Sequence, residues 1–214
     1  MIKEIGPVRS MMNLNGNILC AIDTETTGLD PDIHEIAEIC ILPLDSNIQP
    51  VKDILPFNLK LKPFKPHLAQ TGAMTINKLN LEELCRTGFD QIRAIDLLEK
   101  WIEKLRVPVG KKISPLAHNW PFDMSFIIKW VGVDFFNMYF DHRYRDTLAA
   151  ALYENDRAVF HANQCRYPLL RLSELARQTG VEFGRDAFRA HTALGDCVAV
   201  AELYRRMCIQ GLWG

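Results

Sequence analysis

The sequence has no dominant charge, no long apolar run, no paired cysteine motif and no low-complexity stretch, and each absence removes a class of protein. Its 25 basic and 26 acidic residues nearly cancel. That balance argues against a broad, non-specific grip on nucleic acid or an anionic membrane and leaves room only for a local basic patch. Met1 to Ser10 contains no apolar h-region, and no later stretch of eighteen residues is free of charge. The expectation is an intracellular, cytoplasmic protein. Six cysteines, Cys20, Cys40, Cys85, Cys165, Cys197 and Cys208, form no CxxC pair, and several sit in apolar runs, so they read as reduced core residues. His142, His161 and Cys165 do not have the spacing of a zinc finger, and no zinc site is expected.

What is present suits one soluble domain. The 214 residues are 48% hydrophobic and 24% charged, enough to bury a substantial core. Asn17 to Ile22 reads as a buried strand, Glu35 to Leu44 as a second, and Ile54 to Leu61 as an edge strand interrupted by Pro56. Thr71 to Leu84 carries a short helical pattern. Ile92, Ile95, Leu98, Trp101, Ile102 and Leu105 recur at helical spacing and predict an amphipathic helix ending before Pro108. Ile113 to Ala117 predicts a buried strand, Phe122 to Val131 a helix with Pro121 in its first turn, and Arg145 to Leu148 a strand end opening into a helix through Tyr153. Helices follow over Leu169 to Thr179, stopped by Gly180, and over Ala193 to Cys208. Strands first, then strands alternating with helices, indicate an α/β layer fold. Its mixed sheet has three antiparallel strands leading and parallel ones following. Met11 and Met12 are alternative starts, so residues 1–15 read as a tail and residues 16–210 as a single domain.

The chemistry concentrates in Ile22-Asp23-Thr24-Glu25-Thr26-Thr27-Gly28. The two-residue period of a strand puts Asp23 and Glu25 on one face and Thr24 on the other. Paired acids at the end of an apolar strand repel one another and call for cations, of which Mg²⁺ and Mn²⁺ suit oxygen ligands. The same segment also reads as a solvated strand end entering a turn. Two further acids stand out by context. Asp123 falls in the first turn of a helix leaving a central strand, where ligand sites of α/β sheets gather, although a helix N-terminus also favours an acid for its own sake. Asp196 follows His191 in His-Thr-Ala-Leu-Gly-Asp, which places His191 in a loop and Asp196 in the first turns of the last helix, both leaning toward one cleft. Asp30, Asp32 and Glu35 read as solvated turn residues.

Taken together, Asp23-Thr24-Glu25-Thr26-Thr27-Gly28, His118-Asn119-x-x-Phe122-Asp123 and His191-x-x-x-x-Asp196 resemble the DnaQ-like 3′-to-5′ exonucleases, specifically the DEDDh subgroup. Thr71-Gly72-Ala73-Met74-Thr75 is similar to that family's His-Gly-Ile-Thr segment, with Thr71 in place of the histidine and Met74 departing from the isoleucine. Asp146-Thr147-Leu148 is similar to its Asp-Thr/Ser-Leu segment. The resemblance covers residues 18 to 208 in order. It implies a ribonuclease H-like fold with a mixed five-stranded sheet flanked by helices, and a single exonuclease domain.

The resemblance further implies two Mg²⁺ or Mn²⁺ ions held by Asp23, Glu25, Asp123 and Asp196, with His191 as general base and Glu25 contributing to catalysis. Thr26 and Thr27 would offer backbone N–H groups to a terminal nucleotide, and Met74 and Phe122 apolar surface to its base; core packing accounts for Met74 and Phe122 equally well. His118 is the rival base, assigned instead to supporting a loop by hydrogen bonding, and Asp146 is assigned a structural role. The expected partners are 3′ ends of single-stranded or frayed DNA or RNA, released as nucleoside 5′-monophosphates, and a polymerase or other replication protein. A ribonuclease H-type endonuclease and a nuclease-like module that only docks on a polymerase are the competing readings.

Overall fold

Ile18–Thr26 (β1) is the central strand on which the other elements assemble. In the computed structural model, which describes residues 16–181 and 192–209, β1 pairs antiparallel with Ile36–Pro43 (β2), and β2 with Phe57–Lys60 (β3). On its other side β1 pairs parallel with Ile113–Ala117 (β4), and β4 with the two-residue Arg145–Asp146 (β5). The order β3-β2-β1-β4-β5 is the expected mixed sheet, three antiparallel strands followed by parallel ones. The tail expected over residues 1–15 lies outside the described residues.

The continuous apolar run of β1 follows from burial on both faces. Ile18, Cys20 and Ile22 turn to one layer, where they pack with Ile39, Ile41 and the helices Gln91–Leu105 (named α3 below) and Trp120–Val131 (α4). Leu19 and Ala21 turn to the other, where Cys40 and Leu42 meet Ala193, Cys197 and Val200 of the last helix, Ala193–Ile209 (α8). Local chemistry sets the helix ends. The Asp90 side chain accepts from Arg93 N to start α3, which stops at Arg106 in the left-handed conformation ahead of Pro108. The helices Thr147–Phe160 (α6) and Leu172–Gln178 (α7) complete the second half, and Gly180, at φ +75, takes the left-handed turn that releases the chain from α7.

The structure corrects several details. The third strand is shorter than Ile54 to Leu61 and begins only after Pro56, which has no N–H to give a ladder. Thr71 to Leu84 is broken into two helices, Thr71–Ile76 (α1) and Leu81–Thr87 (α2), because Asn80 caps the second by accepting from Glu83 N. A helix over Val133–Tyr139 (α5), reached through Gly132 at φ +84, had no sequence signal strong enough to separate it from α4. Cys20, Cys40 and Cys197 are buried as expected, whereas Cys165 and Cys208 are exposed and so are not core residues. No helix among the described residues is long and apolar enough to cross a membrane.

Candidate active site

Strand parity and one helix bring three of the predicted acids together. Asp23 and Glu25 extend the face of β1 that carries Leu19 and Ala21, the face covered by α8, whose first turn supplies Asp196. Each of the three side chains offers an oxygen, and these oxygens all lie within 4.8 Å of one another. Burial, followed by the charges of Asp123, Asp196 and Glu25, holds the Asp23 carboxyl well above its ordinary range. Glu25, only 7% exposed, is pushed up to about 8 by burial first and then by Asp196, Glu38 and Asp123. Oxygen donors this close, with no cation among the described residues acting strongly on them, fit a hard divalent ion.

Asp123 arrives from the opposite layer. It sits in the first turn of α4, which starts after Asn119 in the left-handed conformation at φ +70. Thr24, the residue that strand parity turns away from Asp23 and Glu25, faces α4 and binds Asp123. Its N–H and its Oγ1–H both donate to Asp123 Oδ1, at 2.9 and 2.7 Å. Burial pushes the Asp123 carboxyl up to about 7, and these two bonds pull the other way. The acids of both layers thus converge at the carboxyl end of β1, beside the parallel neighbour β4, where the sheet changes from antiparallel to parallel pairing.

The remaining predicted residues divide. His191 lies outside the described residues. His118 Nδ1 is 2.9 Å from Thr147 Oγ1, and its burial disfavours the charged imidazolium. Phe122 is half-buried, with its ring tilted against Phe126 at 5.0 Å, while Met74 is buried against Ala37 and Leu84. Thr26 donates its hydroxyl to Gly28 O, and the N–H of Thr27 is already bonded to Glu35 O at 2.8 Å, so Thr27 has no backbone donor to offer a nucleotide in this conformation. Gly28 is required by space, since a Cβ there would lie 2.2 Å from the His34 ring.

Two acids differ from the sequence reading. Asp30 and Asp32 are exposed, but Glu35 is no solvated turn residue: its carboxylate accepts from Phe64 N and Lys65 N and ties two loops together. Glu38 was missed altogether. It stands directly across from Glu25 in the antiparallel register, is 4% exposed, and keeps one carboxylate oxygen, Oε2, buried without a hydrogen-bond partner among the described residues. Its only sequence signal is an acid in the middle of the apolar run Ile36 to Leu44. A separate cavity of about 250 Å³, lined by Ile33, Phe64, Ile92, Phe126 and Trp130 among others, includes none of the clustered acids and is not the reaction site.

The RNase T exonuclease family model matches residues 20–204, which include β1 from Cys20 onward, all of α4 and α8 as far as Tyr204. The chain is similar to the 3′-5′ DNA exonuclease Cap18 of Escherichia coli, at 27% identity over 197 residues, 91% of this chain and 93% of that protein. It is also similar to the oligoribonuclease of Buchnera aphidicola, at 32% identity over 148 residues, 63% of this chain and 83% of that protein. Among solved structures, E. coli exonuclease I in complex with a dT13 oligonucleotide superposes on 87% of this chain with a TM-score of 0.63 and 22% identity, and the chain spans 40% of its length.

Proposed function

The chain belongs to the exonuclease family matched over residues 20–204 and is a DnaQ-like 3′-to-5′ exonuclease of ribonuclease H-like fold, and from that premise we propose how its site works. The enzyme removes nucleoside 5′-monophosphates one at a time from the 3′ end of single-stranded or frayed nucleic acid. Asp23, Glu25, Asp123 and Asp196 would hold two Mg²⁺ or Mn²⁺ ions. The observation that supports this most directly is the set of three carboxylate oxygens within 4.8 Å, drawn from a strand and a helix far apart in the chain. When bound, the ions supply charge neutralisation at the departing 3′ oxygen and make water more acidic. Thr24 fixes the direction of the Asp123 carboxylate through its two bonds. His191, assigned from its place in the His-x-x-x-x-Asp motif, takes the proton of the attacking water. His118, bonded to Thr147, orients the turn between β4 and α4. Phe122 offers a part-exposed ring to the terminal base, whereas Met74, buried against Ala37 and Leu84, serves packing.

The grip on substrate is short. Of the scattered cations near the sheet ends, Lys112 is bonded to Asn137 O and Arg145 to Ser114 Oγ, so both are engaged within the protein. Few phosphates are neutralised, and affinity for single strands depends only shallowly on salt. The names of the relatives cover both DNA and short RNA, and the test includes both. Single-stranded DNA and RNA labelled at the 5′ or 3′ end, a blunt duplex and a closed circle are digested with Mg²⁺ or Mn²⁺. A ladder shortening from the 3′ end with mononucleotide product is expected. Cleavage of the circle as fast as the linear strand would overturn the end-directed reading in favour of an endonuclease. His191→Ala lowers turnover by about 10²- to 10⁴-fold with cation binding retained, and His118→Ala does much less; the reverse order would move the base to His118.

A further inference from the structure

A row of charged side chains crosses the sheet beneath α8. The antiparallel registers place Lys60 of β3 opposite Glu38 of β2, and Glu38 opposite Glu25 of β1. Directly opposed residues share a face, with Cβ atoms about 5 Å apart, so Glu38 stands between a lysine and an acid of the reaction site. Lys60 is exposed and its charge offsets that of Glu38, whereas Asp196 opposes it. Glu38 itself is 4% exposed, and its Oε2 is buried with no partner among the described residues. An unpaired buried carboxylate oxygen is costly to a fold, and one placed among like charges more so. An apolar residue would continue the run of Ile36, Ala37, Ile39 and Cys40 at no such cost.

Resting on the cation-dependent reading above, we propose that Glu38 is an outer carboxylate of the cation centre. It adds negative charge behind Glu25 and accepts, at Oε2, a hydrogen bond from water that enters with the ion. Glu38 is therefore a positioning residue that acts through Glu25 and does not itself touch the scissile phosphate. Partners of this kind, one step removed from the ligands, typically account for 10- to 100-fold in metal affinity. The charge of Glu38 is redundant in the absence of the ion and useful only in its presence.

The test uses the full chain and reads Mn²⁺ affinity by isothermal titration, with the electron paramagnetic resonance of free Mn²⁺ as a second measure. Glu38→Met removes charge and acceptor while nearly keeping volume, and Glu38→Gln removes the charge alone. The expected result is Mn²⁺ binding about 10- to 100-fold weaker in Glu38→Met and weakened to a smaller degree in Glu38→Gln. In EDTA, neither variant melts below the parent. A role confined to folding would instead lower the melting temperature in EDTA and leave Mn²⁺ affinity unchanged. Affinity within twofold of the parent in both variants, with Asp23→Asn strongly impaired in parallel, overturns the inference and leaves the cation site standing. If Asp23→Asn also binds Mn²⁺ normally, the cation assignment fails and the inference with it. Should Glu38→Met not fold, Glu38→Gln alone decides: parent-like affinity overturns the proposal, and a severalfold loss supports it.

Discussion

Asp23 and Asp146 are the same residue type at the carboxyl ends of strands in one sheet, yet the protein treats them in opposite ways. Asp146 accepts from four backbone N–H groups: Leu148 and Ala149, which start α6, and Asn119 and Trp120, which start α4. Its charge is met by donors of two helix N-termini, and it joins β5, α4 and α6 at one point. Asp23 faces Glu25 and Asp196, with Asp123 near, and burial and repulsion dominate it. An acid surrounded by donors stabilises the fold, and an acid surrounded by acids awaits a cation. The comparison is broken most directly by neutralising each in turn. Asp23→Asn lowers exonuclease activity by several orders of magnitude, because charge stabilisation by the ions is worth several kcal/mol. In EDTA its melting temperature equals or exceeds that of the parent, since a repulsion has been relieved. Asp146→Ala instead lowers the unfolding free energy in urea by about 2–4 kcal/mol, the sum of a lost cap and lost charge-assisted bonds, and its residual folded fraction keeps Mn²⁺ affinity. Parent-like activity in Asp23→Asn, or parent-like stability in Asp146→Ala, would erase the distinction.

A pH series sharpens the same contrast. In the unfolded chain the carboxyls ionise in their ordinary range near 4. In the cation-free fold Glu25 keeps its proton up to about 8 and Asp123 up to about 7, and Asp23 is also raised. Between those limits the native state binds more protons than the unfolded state, so stability falls as pH rises. The contribution is fully present below the ordinary carboxylate range and is lost as pH climbs through the folded values. In EDTA the melting temperature should therefore drop between about pH 5 and pH 8. Saturating Mn²⁺ should flatten or reverse the slope, because ionised ligands bind the cation and binding favours the folded state. A melting temperature independent of pH in EDTA would show that the cluster is not strained, and Glu25→Gln should reduce the slope.

These two regions were not equally legible in the sequence. Strand parity alone put Asp23 and Glu25 on one face, and the motif order tied Asp123 and Asp196 to them, because a repeating pattern of two and a helix first turn are local properties. β4 and the bounds of α3 and α8 were legible for the same reason: apolar spacing within one segment decides them. Glu38 was not legible, because its meaning depends on the register between β1 and β2, which the order of residues along β2 does not state. Glu35 failed similarly, since its partners at Phe64 and Lys65 are remote in sequence. The N–H of Thr27 was offered to a nucleotide on motif grounds, while the loop that returns through Glu35 takes it. Errors of this sort arise wherever a polar group is satisfied by a distant backbone.

Asp123 lies between the two extremes, and the smallest predicted effect tests that position. One of its oxygens, Oδ1, is held by donors as Asp146 is, through the N–H and hydroxyl of Thr24, while the carboxylate as a whole shares the charge of the Asp23 cluster. Thr24→Val keeps the shape and the backbone donor and removes only the hydroxyl at 2.7 Å. A hydrogen bond to a charged group is worth about 1.5–3 kcal/mol, and the surviving N–H limits the damage. The variant should lose about 1–2 kcal/mol of stability in EDTA and about tenfold in turnover, because the Asp123 carboxylate can now rotate away from the direction the cation needs. Substrate affinity, measured as KM, should change little, since Thr24 is buried and faces α4 rather than the cleft. Thr24→Ser, which restores the donor without the methyl group, should recover most of the turnover. If valine and serine are equally active, Asp123 does not depend on Thr24 for its aim. If both are equally poor, the methyl group matters and packing of β1 against α4, not the hydrogen bond, sets the geometry of the fourth acid.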